Sequence, residues 1–493
     1  MAISSPSTMG MAASPVKAAL ADNYIDFTSD AGNNGWQQQY LPDLMEKEAE
    51  VYGNRSISGF LAQVGAEEAM SSDQVVWSEQ GRLHLAYTAK WVSSGIIEIE
   101  NDIDGNDVAA DQHGIRVGDT IIVTSNKNYT VRCYVSVIEG TSNQITCLPY
   151  DQDALDAGSL GTPGTGTETL RVLVYGSEVA KGANNQRGVG GNTFKANKPS
   201  FKSIANKPII LKDYYEVSGS DASQIGWVEV SGEEGQTGYY WYIKAEAETR
   251  TRFSDYLEMS MMESEKADSA SDIHDAAGGL GITDPLSVGT EGLFSAVETR
   301  GHVSTGVTGI NAATDLAEFD AMLAKFDENG AIEENMMFVD RTTALAVDDM
   351  LASMNSYGAG GTSYGVFDND ENMALNLGFS GFRRGSYDFY KSDWKYLNDK
   401  GTRGALNDTV NAIRGVIVPA GVSSVYDQQL GKNMKRPFLH VRYRASNTES
   451  RKLKSWVTGS VGATTSDLDA MQVHYLSERC LVVQGGNNFM LLK

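Results

Sequence analysis

The stretch GYYWYIKAEAETRTRFSDYLEMSMMESEKA, residues 238–267, contains no proline and no internal glycine. Oppositely charged residues recur four positions apart in it, and each such pair adds roughly 0.2–0.5 kcal/mol to a helix. These pairs are Lys244–Glu248, Glu246–Arg250 and Glu248–Arg252. Apolar side chains three or four positions apart form a narrow stripe, made of Phe253, Tyr256, Leu257 and Met261. We therefore predict one helix of about 28 residues and roughly 42 Å, a rod whose stripe packs on a sheet.

The composition is that of a globular protein. The chain has 493 residues, of which 41% are hydrophobic and 21% charged, enough for about three domains. Its formal charge of −24 argues against tight binding of nucleic acid by the whole surface. The three cysteines show no metal-binding or disulfide spacing, which favours a reducing compartment. The first residues lack the apolar core of a secretion signal, and no apolar run is long enough to span a membrane, so we expect a soluble protein.

Short β-type segments fill the region from residue 93 to residue 180. Turn clusters such as SNKN and EGTSN separate them, and no helical pattern intervenes. This texture predicts a small separate barrel or sandwich. The predicted strands are IIEIE, DTIIVTS, TVRCYVSVI, QITCLP and LRVLVYG. Just upstream, VVWSEQGRLHLAY is predicted to form a hairpin that turns at Gln80 and Gly81.

A basic segment follows the β-region in this otherwise acidic chain. The motif ANKP occurs twice in it, at residues 196–199 and 205–208, and each proline favours an extended backbone at the preceding lysine. We expect an extended arm that docks on an acidic surface, plausibly that of another copy of the chain; a solvated charged loop is the alternative. The candidate contact residues are Lys195, Lys198, Lys202, Lys207 and Lys212.

Residues 286–493 have a mixed α/β pattern. TDLAEFDAMLAKFDENG reads as a helix with Thr314 as its N-cap and Gly330 as its stop. RTTALAVDDMLASM is predicted to form a second helix. Predicted strands in this part are MMFVD, RGVIVPAG, LHVRYRA and the apolar end of ERCLVVQGGNNFMLL.

Candidate chemical motifs are weak. GTSYG at 361–365 has the spacing of a nucleophile elbow around Ser363, but loop-like sequence flanks it on both sides, which favours a glycine-rich loop. GTPGTG at 161–166 lacks the lysine of a phosphate-binding loop, since Thr167 stands in its place. ENDIDGNDVAAD is either an acidic turn or a weak cation site with Asp102, Asp104 and Asp111 as ligands. The histidines are scattered, so we predict a protein that is not an enzyme and has no cofactor.

The order of these parts resembles the major capsid proteins of tailed double-stranded-DNA bacteriophages, which share the Hong-Kong-ninety-seven-type fold. The segments VYGNRSISGFLAQVGAEEAMSSDQVVWSEQGRLHL, YYWYIKAEAETRTRFSDYLEMSMMESEKA and DAMQVHYLSERCLVVQGGNNFMLL look most like those of crAss-like phages. The resemblance implies an α+β fold with an inserted all-β domain. Its implied parts are an N-terminal arm (1–40), first peripheral helices and the start of an extended loop (41–92), the inserted domain (93–180), a basic extended loop (181–236), the spine helix of the peripheral domain (237–285) and an axial domain with strands returning to the peripheral one (286–493).

The same resemblance implies a structural role in the virion. Such a subunit assembles with itself into the pentamers and hexamers of an icosahedral head, in the host bacterial cytoplasm, and encloses double-stranded DNA without reading its sequence. Portal, scaffolding and head-decoration proteins are its implied partners, and no membrane is involved. The competing reading is an acidic, calcium-binding cell-surface or S-layer-like protein that uses NDIDGND, and a third is a hydrolase that uses Ser363.

Overall fold

In the computed structural model the chain divides into two compact units, one of residues 78–203 and one that combines residues up to 77 with residues 204–493. Helices and strands are mixed along the chain, which confirms the predicted α+β class. The structure describes residues 57–80, 84, 86–109, 113–125, 129–139, 142–153, 155, 169–179, 181–182, 201–220, 229–231, 237–267, 271–273, 289–330, 332–355, 381–407, 412–420, 422–427, 432–462 and 464–493.

The first described elements are helix α1 (Phe60–Val64) and strands β1 (Glu67–Met70) and β2 (Val75–Gln80). Strand β2 pairs with Phe201–Asn206, far along the chain, in a two-stranded sheet. The hairpin predicted over residues 75–87 is therefore wrong. Sequence alternation identified the strand but could not identify its partner, which lies beyond the next six strands.

The unit of residues 78–203 contains a closed barrel. Its strands are β3 (Ala86–Ser93), β4 (Ile96–Asp102), β5 (Asp119–Ser125), β6 (Thr130–Ile138), β7 (Gln144–Pro149) and β8 (Thr169–Ser177). They close in the order β3-β4-β7-β6-β5-β8, and alternate residues such as Val131, Cys133 and Val135 fill the interior. Each β-run predicted between residues 93 and 180 forms a strand, and β3 begins before that predicted boundary.

The rest of the described chain forms two larger sheets, smaller two-stranded sheets and helices. In chain order its elements are β9 (Phe201–Asn206), β10 (Ile209–Ser218), β11 (Glu229–Ser231), β12 (Thr237–Tyr239), α2 (Tyr240–Glu263), α3 (Leu293–Arg300), β13 (His302–Ser304), α4 (Ala312–Asn329), β14 (Glu334–Val339), α5 (Arg341–Asn355), β15 (Gly381–Arg384), β16 (Tyr387–Asp393), α6 (Lys395–Asn398), β17 (Gly415–Pro419), β18 (Val422–Asp427), β19 (Lys432–Pro437), β20 (Leu439–Arg444), β21 (Lys454–Gly459), β22 (Ala470–Val483) and β23 (Met490–Leu492).

A five-stranded sheet, here the central sheet, draws its strands from distant parts of the chain. Its order is β1-β20-β22-β10, and β21 also pairs with β22. Strand β1 runs parallel to β20, and the other pairs are antiparallel. Part of the segment expected to form a basic extended loop, residues 209–218, is thus a strand of this sheet. Its alternation of apolar with charged residues matches a strand that has one exposed face.

Helix α2 packs on the central sheet. Phe253 and Leu257 contact Val473 and Tyr475 of β22, and the rings of Phe253 and Tyr475 lie 5.9 Å apart. The predicted helix is confirmed, but its predicted stripe is wrong at Tyr256, which is 41% exposed. The buried side chains, such as Phe253, Leu257 and Met261, are four positions apart. Because an α-helix rotates by about 100° per residue, Tyr256 lies to one side of this row and is turned toward solvent.

A six-stranded sheet, here the mixed sheet, has the order β13-β23-β17-β14-β16-β15. Helices α4 and α5 share a core with it, as the predicted helices and strands of this region require. The N-cap of α4 is Asn311, whose side chain accepts a hydrogen bond from the N–H of Thr314 at 2.9 Å, so the predicted N-cap Thr314 is wrong. Gly330 ends the helix in the left-handed conformation, as predicted.

Candidate functional site

Two carboxylates in the middle of α2 hold the first described residues of the chain. Asp255 accepts hydrogen bonds from the N–H groups of Ile57 and Ser58 at 3.0 and 3.1 Å. Glu258 accepts from those of Gly59 and Phe60, the latter at 3.2 Å. These N–H groups are at the start of α1, where a helix dipole favours negative charge.

Glu258 is nearly buried, and that burial raises the pKa of its carboxyl although the hydrogen bonds oppose the shift. A buried carboxylate satisfied by main-chain donors makes a stiff attachment, because removing it leaves those donors without a partner.

Helix α2 is attached at two further places. Arg252 reaches Asp213 of β10 at 3.4 Å. At the end of the helix, Glu263 accepts hydrogen bonds from the hydroxyl of Tyr396 at 2.5 Å and from Arg403 at 2.6 Å. Burial and the bond to Glu263 raise the pKa of Tyr396. Several charges of this helix therefore bind distant segments, a role that the predicted i,i+4 pairs did not include.

A buried amide joins three segments of the same unit. The side chain of Asn206, fully buried, accepts from the N–H of Glu291 at 2.9 Å and the hydroxyl of Thr290 at 3.0 Å. It donates to the carbonyls of Glu291 at 3.0 Å and Leu481 at 2.7 Å, and its oxygen also accepts from the N–H of Lys207. Sequence reasoning missed this role, although Asn206 stands in the second ANKP motif.

Three of the five candidate lysines lie in the part of the chain that the structure describes, and they differ in position. Lys195 and Lys198 lie outside the described residues, and Lys202 lies on β9. Lys207 is half-buried in the link between β9 and β10. Lys212 is exposed on β10, opposite Leu476 of β22. Lys202 and Lys212 therefore lie on strands, and the contact role of the five lysines stays a prediction.

The acidic segment at residues 101–107 forms a turn held by Asp102. One carboxylate oxygen of Asp102 accepts from the N–H groups of Asp104 and Asn106, both at 2.9 Å, and the other accepts from the side-chain amide of Asn106 at 3.0 Å. Partial burial works against ionisation, but these bonds hold the pKa of Asp102 below its usual value. Asp111 lies outside the described residues. Among the residues that are described, no group of three or more His, Cys, Asp or Glu is arranged to hold a metal ion.

The candidate nucleophiles offer little support for catalysis. Ser363 and the glycine-rich segment 161–166 lie outside the described residues. Cys133, Cys147 and Cys480 are buried, and burial raises the pKa of Cys133 and of Cys480 to about 12 and that of Cys147 well above its usual value. Thiols with such pKa values stay protonated at neutral pH and are poor nucleophiles. Over the described ranges, no helix is long and apolar enough to cross a membrane.

Comparison with known proteins gives only distant structural likenesses. No protein-family model and no curated protein matches the chain. A solved chain of Microbacterium phage Oxtober96 is 8% identical, with a TM-score of 0.37, over 94% of this chain and 99% of that one. The capsid structure of the cyanophage P-SCSP1u is 9% identical, with a TM-score of 0.32, over 63% and 79%. The mature capsid of bacteriophage PhiM1 is 9% identical, with a TM-score of 0.30, over 64% and 78%. With identities and TM-scores this low, we base the proposed function on the sequence and geometry of this chain.

Proposed function

We propose that the chain is the major capsid protein of a tailed double-stranded-DNA bacteriophage, a structural subunit of its icosahedral head that performs no turnover. The observation that carries the proposal is the order of parts along the chain. The barrel lies in sequence between the two strands of a ribbon, β2 and β9. A 24-residue helix follows and packs on the central sheet, whose strands come from the beginning, the middle and the end of the described chain. This is the layout implied by the resemblance to the Hong-Kong-ninety-seven-type fold, and the quoted segments favour crAss-like phages within it.

Each part of the proposed subunit has its own task. Helix α2 and the central sheet correspond to the peripheral domain, and the mixed sheet with α4 and α5 corresponds to the axial domain around the five- and six-fold positions. The ribbon of β2 and β9 corresponds to the base of the extended loop, and the barrel is the inserted domain. The N-terminal arm falls on residues outside the described ranges.

The physical properties of the chain are consistent with a container. Stable shells need interfaces on the order of 2,000 Å² or more for each contact, and long arms supply that area without enlarging the core. A subunit with a charge of −24 has little attraction for the phosphate backbone, so enclosed DNA stays free to leave. Portal, scaffolding and decoration proteins are the further partners proposed for the virion.

Electron microscopy of the purified, concentrated protein tests this proposal. We expect rings of five or six copies, or closed shells, and sedimentation of the same sample should show species far above the monomer. A protein that stays monomeric at high concentration, alone and with the other head proteins of its phage, would contradict the proposed function.

Charge reversal tests the proposed contact of the lysine segment with an acidic neighbour. We expect Lys198→Glu with Lys207→Glu to lower particle yield strongly, because it places acid against acid. The control reverses Lys181 and Lys400, two exposed lysines outside the candidate group, and makes the same change in net charge. Equal particle yields for both variants would count against the lysine contact.

A further inference from the structure

The outside of the barrel carries a patch of large side chains, of which four are exposed and Tyr134 is half-buried, here called the tyrosine patch: Tyr134, Leu148, Tyr150, Leu173 and Tyr175. Leu148, Tyr150 and Tyr175 are each at least half exposed, at 50%, 52% and 50%. Their strand neighbours Cys133, Cys147 and Val172 point into the barrel core. Exposed apolar side chains are ordinary when scattered, but a contiguous group of them marks an interaction surface.

Strand register shows that the patch is contiguous. Leu148 of β7 lies opposite Tyr134 of β6, and Tyr134 lies opposite Thr120 of β5. Thr120 in turn lies opposite Gly176 of β8, where an irregularity in the pairing leaves Tyr175 without a register partner on β5. Directly opposed residues have Cβ atoms about 4.5–5.5 Å apart, so these side chains share one surface over four neighbouring strands.

A carboxylate lies within this surface. The hydroxyl of Tyr150 donates a hydrogen bond to Glu178 at 2.5 Å. Burial, the charge of Glu178 and the nearby hydroxyls of Tyr175 and Tyr134 raise the pKa of Tyr150. Glu178 thus accepts its hydrogen bond from the neutral hydroxyl of Tyr150, and this bond adds no positive charge to the patch.

The charge of the surroundings selects the kind of partner. Residues 86–177 contain twelve Asp and Glu against five Lys and Arg. Arg171 lies opposite Thr124, toward the end of β5 away from Glu178, whereas Arg132 lies opposite Ile122 in the middle of β5, and its carbonyl accepts a hydrogen bond from the N–H of Tyr150. The Glu178 end of the patch therefore suits a cation with an apolar stem. A lysine side chain has this chemistry, because its methylene groups pack on rings while its ammonium meets the carboxylate.

One segment of the chain has the complementary charge. Residues 179–212 contain seven Lys and Arg and no Asp or Glu, in a chain where acidic residues predominate. We propose that the tyrosine patch binds the lysine segment, residues 192–202, of a neighbouring copy of this chain. The proposal rests on the proposed function, since a shell is what holds copies side by side, and it names the acidic partner surface for the lysines. In a shell, weak contacts of this kind gain strength from the high local concentration of neighbours.

A labelled peptide of residues 192–202 tests the binding in solution. The receptor is the full chain with Lys195→Gln, Lys198→Gln and Lys202→Gln, so that its own segment does not compete. We expect saturable binding by fluorescence anisotropy, and about tenfold weaker binding when the receptor also carries Glu178→Gln or Tyr175→Ser. These side chains are on the surface, and thermal melting checks that the variants stay folded.

The matched control is Tyr129→Ser, which removes a tyrosine of the same 50% exposure at the end of the barrel away from Glu178. Binding should be unchanged in this variant. No binding of the peptide, or equal loss in the patch and control variants, would overturn the proposal.

Zero-length cross-linking of carboxylates to amines tests the contact in particles assembled from equal amounts of ¹⁴N- and ¹⁵N-labelled chains. We expect Glu178 linked to a lysine of segment 192–202 in a chain of the other label. Links only within one chain, links from Glu178 to another head protein, or no link at all each overturn the proposal. Microscopy of the same sample scores shell formation separately. Shells without this link refute the docking alone, whereas peptide binding without shells refutes the proposed function.

Discussion

Replacing Asn206 by alanine tests whether its buried amide holds three segments of the larger unit together. The change leaves the hydroxyl of Thr290, the N–H of Glu291 and the carbonyl of Leu481 without this partner. Each unsatisfied buried group costs about 1–3 kcal/mol, so we expect at least about 3 kcal/mol of local stability to be lost. At about 1.4 kcal/mol per factor of ten, that corresponds to a hundredfold larger population of the open state.

Hydrogen exchange followed by mass spectrometry measures this effect locally, without assuming that the two-unit chain unfolds in one step. We expect amides near residues 289–293 and 478–483 to exchange about a hundredfold faster in Asn206→Ala, while the barrel is unchanged. Thr290→Val removes one hydrogen bond and should cost about 1 kcal/mol. Asn197→Ala, the same change in the first ANKP motif, is the control. Unaltered exchange in Asn206→Ala, or an equal effect of Asn197→Ala, would refute the assigned role.

Three further predictions concern the stability of the fold. Phe253→Ala should lower the free energy of unfolding by roughly 3–5 kcal/mol, and Tyr256→Ala should lower it by less than about 1 kcal/mol, because only Phe253 is buried. Urea denaturation measures both changes. Lys391→Ala should cost about 3–5 kcal/mol, because it removes the ammonium that pairs with buried Asp348, and the melting temperature should recover when Lys391→Met is joined to Asp348→Leu. Burial and a nearby lysine lower the pKa of His302 below 6.5, so stability should be constant above that pH and fall as the pH drops below it. His302→Gln should flatten the fall, and an unchanged pH profile would exclude this histidine as its cause.

Local periodicity predicted most elements, because it reports which face of a segment is buried. The long helix, the barrel strands and the α4 and α5 helices follow from spacings of four and two. Pairing between strands did not follow, since β2 meets β9 beyond six intervening strands and β1 meets β20 across most of the chain. No short-range pattern specifies such partners, so the predicted hairpin failed where the two-stranded ribbon formed instead.

The hydrogen bonds that join distant segments of the fold could not be predicted from local sequence patterns either. Asn206 acts through residues 290, 291 and 481, which its own neighbours in sequence do not indicate. Glu258 did carry a signal: no lysine or arginine stands three or four positions from it in α2, so its charge had no partner within the helix. A carboxylate of this kind beside an apolar line predicts a tertiary contact, here with main-chain N–H groups.

The charged side chains of α2 are paired within the subunit, and this restricts which surfaces are available for contacts between copies of the chain. Between Arg252 and Glu263, about 16 Å of helix, its charged side chains hold β10, the start of α1 and the segment from Tyr396 to Arg403. Charged side chains that are already paired within a subunit add little to the binding between subunits. Breaking the internal hydrogen bond or ion pair would cost about as much free energy as the new contact provides. Contacts between copies must therefore use surfaces whose charge is not matched internally. In the proposed docking, the lysine segment comes from a stretch, residues 179–212, that contains no Asp or Glu, and it meets the tyrosine patch around Glu178, which carries the opposite charge.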